Sequence, residues 1–340
     1  MILVWIKFAI CAGLILFSGK RVAKYGDIIA EKTGLGGLWI GVVLVAIATS
    51  LPEIFTGIGS VVFVDAPDLT VGNLFGANTY NLFNIALLDF LNKGGPLLSA
   101  VSPGQLLTAG LSLVVLLIAC AGIFLSLKLP QLSIINISLY SFLILAAYLV
   151  SVRIIFRFEN SQQKELKEKG NNETVFKYDG ISLKKAVIYY CIFACLIAVA
   201  GIWLAYIGGE LAQILGMGKN FIGNIFLGLA TTLPEITVSI AALRLGAKEM
   251  AVANMLGSNL FNMAIIFIND LFYRKAPIFL AISQQNIFTG FTVALMTIVI
   301  FAGLILKPRK KTRLGLSSYA LWLVVIFIIG AYVSFILGIR

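Results

Sequence analysis

Residues Thr49-Ser-Leu-Pro-Glu-Ile54 recur with one substitution as Thr231-Thr-Leu-Pro-Glu-Ile236, 182 residues further along the chain. A second element, Asn73-x-x-Gly76-x-Asn78-x-x-Asn81, recurs as Asn254-x-x-Gly257-x-Asn259-x-x-Asn262 at an offset of 181. Two matches at nearly constant offset in an apolar background mark an internal duplication.

The 340 residues around these elements are 60% hydrophobic and 12% charged, with mean hydropathy +1.00, whereas an ordinary soluble domain carries roughly 25% charged residues. The apolar residues form runs of about 20, the length needed to cross a ~30 Å hydrocarbon core as a helix. Hydropathy predicts about ten spans, at approximately 2–18, 37–64, 68–91, 104–127, 132–156, 184–210, 220–244, 249–273, 279–306 and 315–338. The first run contains Lys7 and lacks a small-residue cleavage signal, so a retained span is expected. The expected fold is an all-α polytopic membrane protein. Residues 1–156 form one five-helix half with a repeat over about 37–91, 157–183 a linker, and 184–340 a second half with a repeat over about 220–273. Five is odd, so the halves insert with opposite orientation as a 5+5 inverted-topology repeat, and the site belongs near the midplane between them.

The net charge of +11 does not point to nucleic acid, because the basic residues flank apolar runs. Loops after odd-numbered spans hold twenty Lys and Arg; those on the other side hold five, Lys128, Lys219, Arg274, Lys275 and Arg340. Basic excess marks the cytoplasmic side. The linker is therefore expected in the cytoplasm and both termini outside. The chain has no histidine, which excludes imidazole metal sites. Its four cysteines lie in apolar runs and read as small buried hydrophobes.

Glu53 and Glu235 fall in the middle of spans two and seven, where an ionised carboxylate is costly unless a cation, a proton or a basic partner neutralises it. No Lys or Arg lies near them in sequence, which favours a cation or proton site over a salt bridge. Pro52 and Pro234 interrupt the backbone ladder just before each glutamate, leaving the carbonyls of Ala48 and Ala230 without their usual partners. Helical spacing adds oxygens to the same faces: Ala46, Thr49 and Glu53 form one stripe and Gly228, Thr231 and Glu235 its counterpart. In the following spans Asn73, Ala77 and Asn81 are matched by Asn254, Ser258 and Asn262. Asn78 and Asn259 lie on neighbouring faces and suit helix-to-helix hydrogen bonds; Gly72, Gly76 and Gly257 suit close helix approach. An all-oxygen donor set selects Ca2+, Mg2+, Na+ or H+.

These motifs resemble the alpha repeats of the cation/Ca2+ exchanger superfamily, most closely its prokaryotic Na+/Ca2+ exchanger branch. The resemblance implies ten helices in inverted halves in a prokaryotic cell membrane, with no cofactor. Cation sites would lie between helices two, three, seven and eight, and Ca2+ or a similar divalent ion would exchange against Na+ or H+ by alternating access. It also implies a ligand set: the carbonyls of Ala46 and Gly228, the hydroxyls of Thr49, Ser50, Thr231, Thr232 and Ser258, the carboxylates of Glu53 and Glu235, and the amides of Asn81 and Asn262. The chain departs from the pattern at Ala77, where a serine is usual, at Asn262, where aspartate is usual, and at Ala48 and Ala230, where glycine is usual.

Asp89 and Asp270 each lie eight residues beyond Asn81 and Asn262. Solvated helix ends are expected there, with acidic vestibules on the two sides as the alternative. A channel would build its pore from rings of identical subunits. An enzyme would need a nucleophile or phosphate-binding constellation, and the sequence offers none. A secondary antiporter fits best, with a linker too short for a folded sensor domain.

Overall fold

The computed structural model describes residues 1–33, 47–126, 128, 133–168 and 181–339, without the side chains of 30 and 162–168. Helices dominate them: α1 (Ile2–Lys32), α2 (Leu51–Val62), α3 (Pro67–Leu91), α4 (Gly104–Ser126), α5 (Leu139–Glu168), α6 (Leu183–Leu215), α7a (Lys219–Thr231), α7b (Leu233–Arg244), α8 (Lys248–Phe272), α9 (Asn286–Leu306) and α10 (Ser318–Gly338). Seven of these, α1, α4, α5, α6, α8, α9 and α10, are long and apolar enough to cross a membrane, and α7a with α7b makes an eighth bent by 41°. α3 has the length, 25 residues, and its Asn73, Asn78, Asn81 and Asn84 dilute its hydropathy. α2 is a 12-residue apolar helix; its expected first half, from residue 37, falls largely outside the described residues.

Contacts between helix ends fix which ends share a face. Lys7 near the start of α1 pairs with Glu210 near the end of α6 at 2.9 Å. Asp65 after α2 pairs with Lys275 after α8 at 2.6 Å. Gly218 N before α7a donates to Gly338 O at the end of α10. On the opposite face Glu249, at the start of α8, accepts from Ser102 N and Oγ before α4, each at 2.7 Å. These pairings require strict alternation of helix direction, with both chain ends on one face and the end of α5 and start of α6 on the other.

Two of the expected boundaries move. α1 continues through Lys32 and α5 through Glu168, into the stretch expected as linker, because a helix keeps its backbone bonds after its side chains turn polar whereas hydropathy sees only the hydrocarbon-length core. The start of the fifth span is instead a two-residue hairpin, Ser133–Ile134 against Ile137–Ser138, turned through Ile135 and Asn136 at positive φ.

The main apolar core gathers Leu74 of α3, Leu116 of α4, Met255 of α8, Ile300 of α9 and Leu323 of α10, while α1, α6 and α7a share a second one around Ile15, Leu204 and Leu227. Large apolar side chains such as Ile6, Val199, Trp322 and Ile328 stay exposed on the outer surface, as lipid contact demands. Since lipid is as apolar as leucine, close backbone packing and polar contacts must hold the helices together. At Gly76 a Cβ would sit 2.2 Å from Asn224 O, so α3 and α7a touch backbone to backbone.

Asp89 and Asp270 are not solvated helix ends. Both are buried, at 0% and 1% exposure. Asp89 accepts from Leu97 N, Ser317 N, Ser317 Oγ and Tyr319 Oη. Asp270 accepts from Ile278 N, Ser138 N and Ser141 Oγ. Each carboxylate takes the amide eight residues on and then ties down the start of α10 or of α5. The pair is one clip used twice, on opposite faces, and forms no vestibule.

Candidate cation site

The regular helix is interrupted at a single position before each Leu-Pro-Glu. Ser50 lies at φ −87°, ψ 8° and Thr232 at φ −83°, ψ −1°, and a new helix begins at the following leucine. Proline suits the first turn of a helix because its missing N–H is one that the helix would not use. That same turn places Glu53 and Glu235 at the positive ends of α2 and α7b. The interruption expected from the prolines is there, and it makes each glutamate a first-turn residue of a fresh helix.

Both carboxylates are wholly buried, at 0% exposure. Neither oxygen of Glu53 accepts a hydrogen bond. Glu235 Oε1 accepts Ser50 Oγ at 3.3 Å and Oε2 has no partner. Among the described residues no Lys or Arg pairs with either glutamate. The neighbours are exchanged between halves: the Thr231 hydroxyl lies beside Glu53, the Thr49 and Ser50 hydroxyls lie beside Glu235, and the two carboxylates are close enough to repel one another.

Around them lie the asparagine-bearing faces of α3 and α8. Asn81 is buried with both amide atoms unpartnered, and the Ser258 hydroxyl and Asn262 Oδ1 are likewise unpartnered. Asn262 Nδ2 donates to Asn78 Oδ1 at 3.0 Å, which leaves its oxygen as the free end of the amide. Thr231 Oγ1 donates to Asn73 Oδ1 at 3.1 Å. Thr232 Oγ1 donates to Gly228 O at 2.8 Å, so two of the expected ligand residues are bonded to one another. Ala77 is buried and offers no side-chain oxygen. Ala46 lies outside the described residues. The structure thus brings Thr49, Ser50, Glu53, Asn81, Gly228, Thr231, Thr232, Glu235, Ser258 and Asn262 onto the broken second and seventh spans and the faces of α3 and α8.

Sequence reasoning placed Asn254 on the α8 stripe and missed its partner Ser239 and the π-turn residue Asn224. Asn254 Nδ2 donates to Glu235 O at 3.2 Å and to Ser239 Oγ at 3.0 Å, bracing the first turn of α7b. Asn254 was visible in the repeat, and Ser239 lies four residues after Glu235 on the same face. Residues Gly223–Leu227 of α7a form a π-turn whose Asn224 is held by Ser334 Oγ and Thr289 Oγ1. No spacing in the sequence signals that bulge.

Desolvated hydroxyl, amide and carboxylate oxygens with no compensating cationic side chain form a set that a hard metal ion satisfies. The model of the sodium/calcium exchanger protein family matches residues 3–157 and 185–337, both halves of the chain. The inner membrane protein YrbG of Escherichia coli is 26% identical over 92% of this chain and 94% of its own length. The sodium/calcium exchanger MaX1 of Methanosarcina acetivorans is 31% identical over 35% of this chain and 34% of its own. Among solved structures, the H+/Ca2+ exchanger CAX superposes at a TM-score of 0.68 with 13% identity, covering 98% of this chain and 86% of that one. The sodium-calcium exchanger NCX_Mj superposes at 0.56 with 19% identity, covering 97% and 98%. Both have the fold described above. A family match that spans both inverted halves and both glutamate-bearing spans is decisive: this chain belongs to the sodium/calcium exchanger protein family.

Proposed function

We propose that this integral membrane protein is a secondary antiporter that exchanges Ca2+, or a similar divalent cation, for Na+ or H+ by alternating access at the Glu53–Glu235 site. The observation that carries the reading is the pair of wholly buried carboxylates, one from each half, with unpartnered oxygens. Such a pair is stable in a low-dielectric interior only when positive charge is brought in, and an ion delivered from one face and released to the other does so in turn. The names of MaX1, NCX_Mj and CAX support a divalent substrate and leave sodium and protons as the two candidates for the counter-ion.

In this reading Glu53 and Glu235 supply the charge. Thr49, Ser50, Thr231, Thr232 and Ser258 supply hydroxyls, Asn81 and Asn262 supply amide oxygens, and the carbonyls of Ala46 and Gly228 complete the shell. The crossed arrangement, in which hydroxyls of one half serve the carboxylate of the other, makes a bound ion a bridge between the halves. The linker faces the cytoplasm and both termini face outward, in keeping with the twenty-to-five distribution of basic residues. The test is 45Ca uptake into proteoliposomes against separately imposed Na+, K+ and H+ gradients. Uptake driven by one of these and lost in Glu53→Gln supports the reading; no uptake under any gradient overturns it.

A further inference from the structure

Among the described residues, one amide beyond those assigned above has both ends buried and unpartnered. Asn269, seven residues after Asn262 in α8, is 0% exposed, and neither its Nδ2 nor its Oδ1 has a hydrogen-bond partner. It packs flat on Gly57 of α2: a Cβ at residue 57 would sit 2.5 Å from Nδ2, 2.6 Å from Oδ1 and 2.9 Å from Cγ. Gly57 is four residues after Glu53, on the same helix face and about 6 Å along the axis. The amide therefore occupies the α2–α8 seam one turn from the carboxylate, on the side where α2 and α8 end and where Asp65 meets Lys275. Thr56, in the same turn of α2, is also 0% exposed with an unpartnered hydroxyl.

The feature is not duplicated. At the 181-residue offset of the asparagine element the counterpart of Asn269 is Leu88, and at the 182-residue offset of the glutamate element the counterpart of Gly57 is Ser239, whose hydroxyl is already taken by Asn254. A spacer against Gly57 needs no polar atoms, and a leucine of similar size would leave none unpaired. A hard cation that sheds its water on the way to Glu53 does need oxygens there.

We propose that Asn269, seated on Gly57, is a one-sided station for the transported cation between Glu53 and the face where α2 and α8 end. It rests on the antiport reading above. Asn269 Oδ1 replaces part of the hydration shell before the carboxylate is reached, and the opposite entry route, with Leu88, has no such step.

The experiment is 45Ca uptake as a function of Ca2+ concentration in right-side-out and inside-out membrane vesicles carrying the full-length protein. Asn269→Leu is expected to raise the half-saturating Ca2+ concentration by about fivefold or more at the face where α2 and α8 end. At the other face it is expected to change by less than about twofold, with the maximal rate kept. Gly57→Ala, whose methyl displaces the amide, should reproduce the effect, and Asn269→Ser, which restores an oxygen, should recover part of it. Because a residue that only packs would lower the amount of folded protein and the maximal rate at both faces, equal half-saturation at both faces overturns the proposal. If Asn269→Leu does not reach the membrane, Asn269→Ser and Gly57→Ala decide by the same criterion. No Ca2+ uptake by the unsubstituted protein overturns the antiport reading and this inference with it; uptake with no sided shift overturns this inference alone.

Discussion

Asn78 and Asn259 donate to each other's backbone carbonyls, Asn78 Nδ2 to Asn259 O at 3.2 Å and Asn259 Nδ2 to Asn78 O at 3.3 Å. The exchange is what a two-fold relation between α3 and α8 demands, and it pins the halves together beside the carboxylates. The symmetry ends at the next contact, because Asn78 Oδ1 also accepts Asn262 Nδ2 while Asn259 Oδ1 accepts nothing.

That inequality gives a measurable difference. Asn259→Ala removes one interhelical hydrogen bond, whereas Asn78→Ala removes two and leaves the Asn262 amide unheld. With about 0.6–1.7 kcal/mol for an interhelical bond in a membrane, Asn78→Ala should be roughly twice as destabilising as Asn259→Ala. Unfolding midpoints in detergent check this, and equal losses would contradict it.

Glu53→Gln and Glu235→Gln should each abolish exchange while leaving the protein inserted and folded. Each glutamine keeps the shape and removes the charge that an incoming divalent ion requires. Size-exclusion profiles establish folding and 45Ca flux reads function; normal flux in either variant would show that the carboxylates are not the site.

Much of this candidate site is legible in the sequence. The duplication named both glutamates, the hydropathy gave ten spans, and Asn78 and Asn259 matched their expected helix-to-helix role, because spacing along a helix sets which residues share a face. What spacing does not carry is the partner across the interface. Asp89 and Asp270 read as solvated ends because Lys93, Arg274 and Lys275 are near in sequence; their real partners, Ser317, Tyr319, Ser138 and Ser141, come from the starts of α10 and α5, more than a hundred residues away. The break at Ser50 and Thr232 was visible in the prolines, whereas the π-turn at Gly223–Leu227 follows from backbone contact with α3 and leaves no mark in composition.

The aspartate clips should therefore matter for stability and not for ion affinity. Asp270→Ala strands Ser138 N, Ser141 Oγ and Ile278 N, and Asp89→Ala strands four donors. At about 1–3 kcal/mol for each buried unpaired group, both should sharply lower folded yield. The fraction that does fold should show half-saturation within about twofold of the parent. A large affinity shift without loss of yield would return these residues to an ion-attracting role.

Orientation can be read from two loop positions in a background with all four cysteines replaced. Ile135, 90% exposed in the hairpin before α5, lies on the face of the termini, and Lys310 lies on the opposite face between α9 and α10. Ile135→Cys should react with an impermeant maleimide in intact cells, and Lys310→Cys only after the membrane is opened. The reverse pattern would invert the topology and leave the repeat intact.

Charge balance at the site sets the last expectation. Glu53 and Glu235 are the only acidic side chains among the residues assigned to it, and together they match one Ca2+, two Na+ or two protons. A third monovalent ion would add an uncompensated charge in a low-dielectric interior and would find no hydroxyl at Ala77. Exchange should then be close to electroneutral, with Ca2+ flux nearly independent of a voltage clamped by K+ and valinomycin. Asn262→Asp together with Ala77→Ser changes both terms. The new carboxylate loses the amide hydrogen that Asn262 gives to Asn78 Oδ1 and faces that oxygen directly, a repulsion that a further cation relieves. The new serine offers that cation a ligand. Flux through the double variant should become voltage-dependent and require sodium, with neither substitution alone sufficient. Strong voltage dependence in the parent protein would break the two-charge argument and require a third charge on the transported complex, supplied by a residue outside the assigned set.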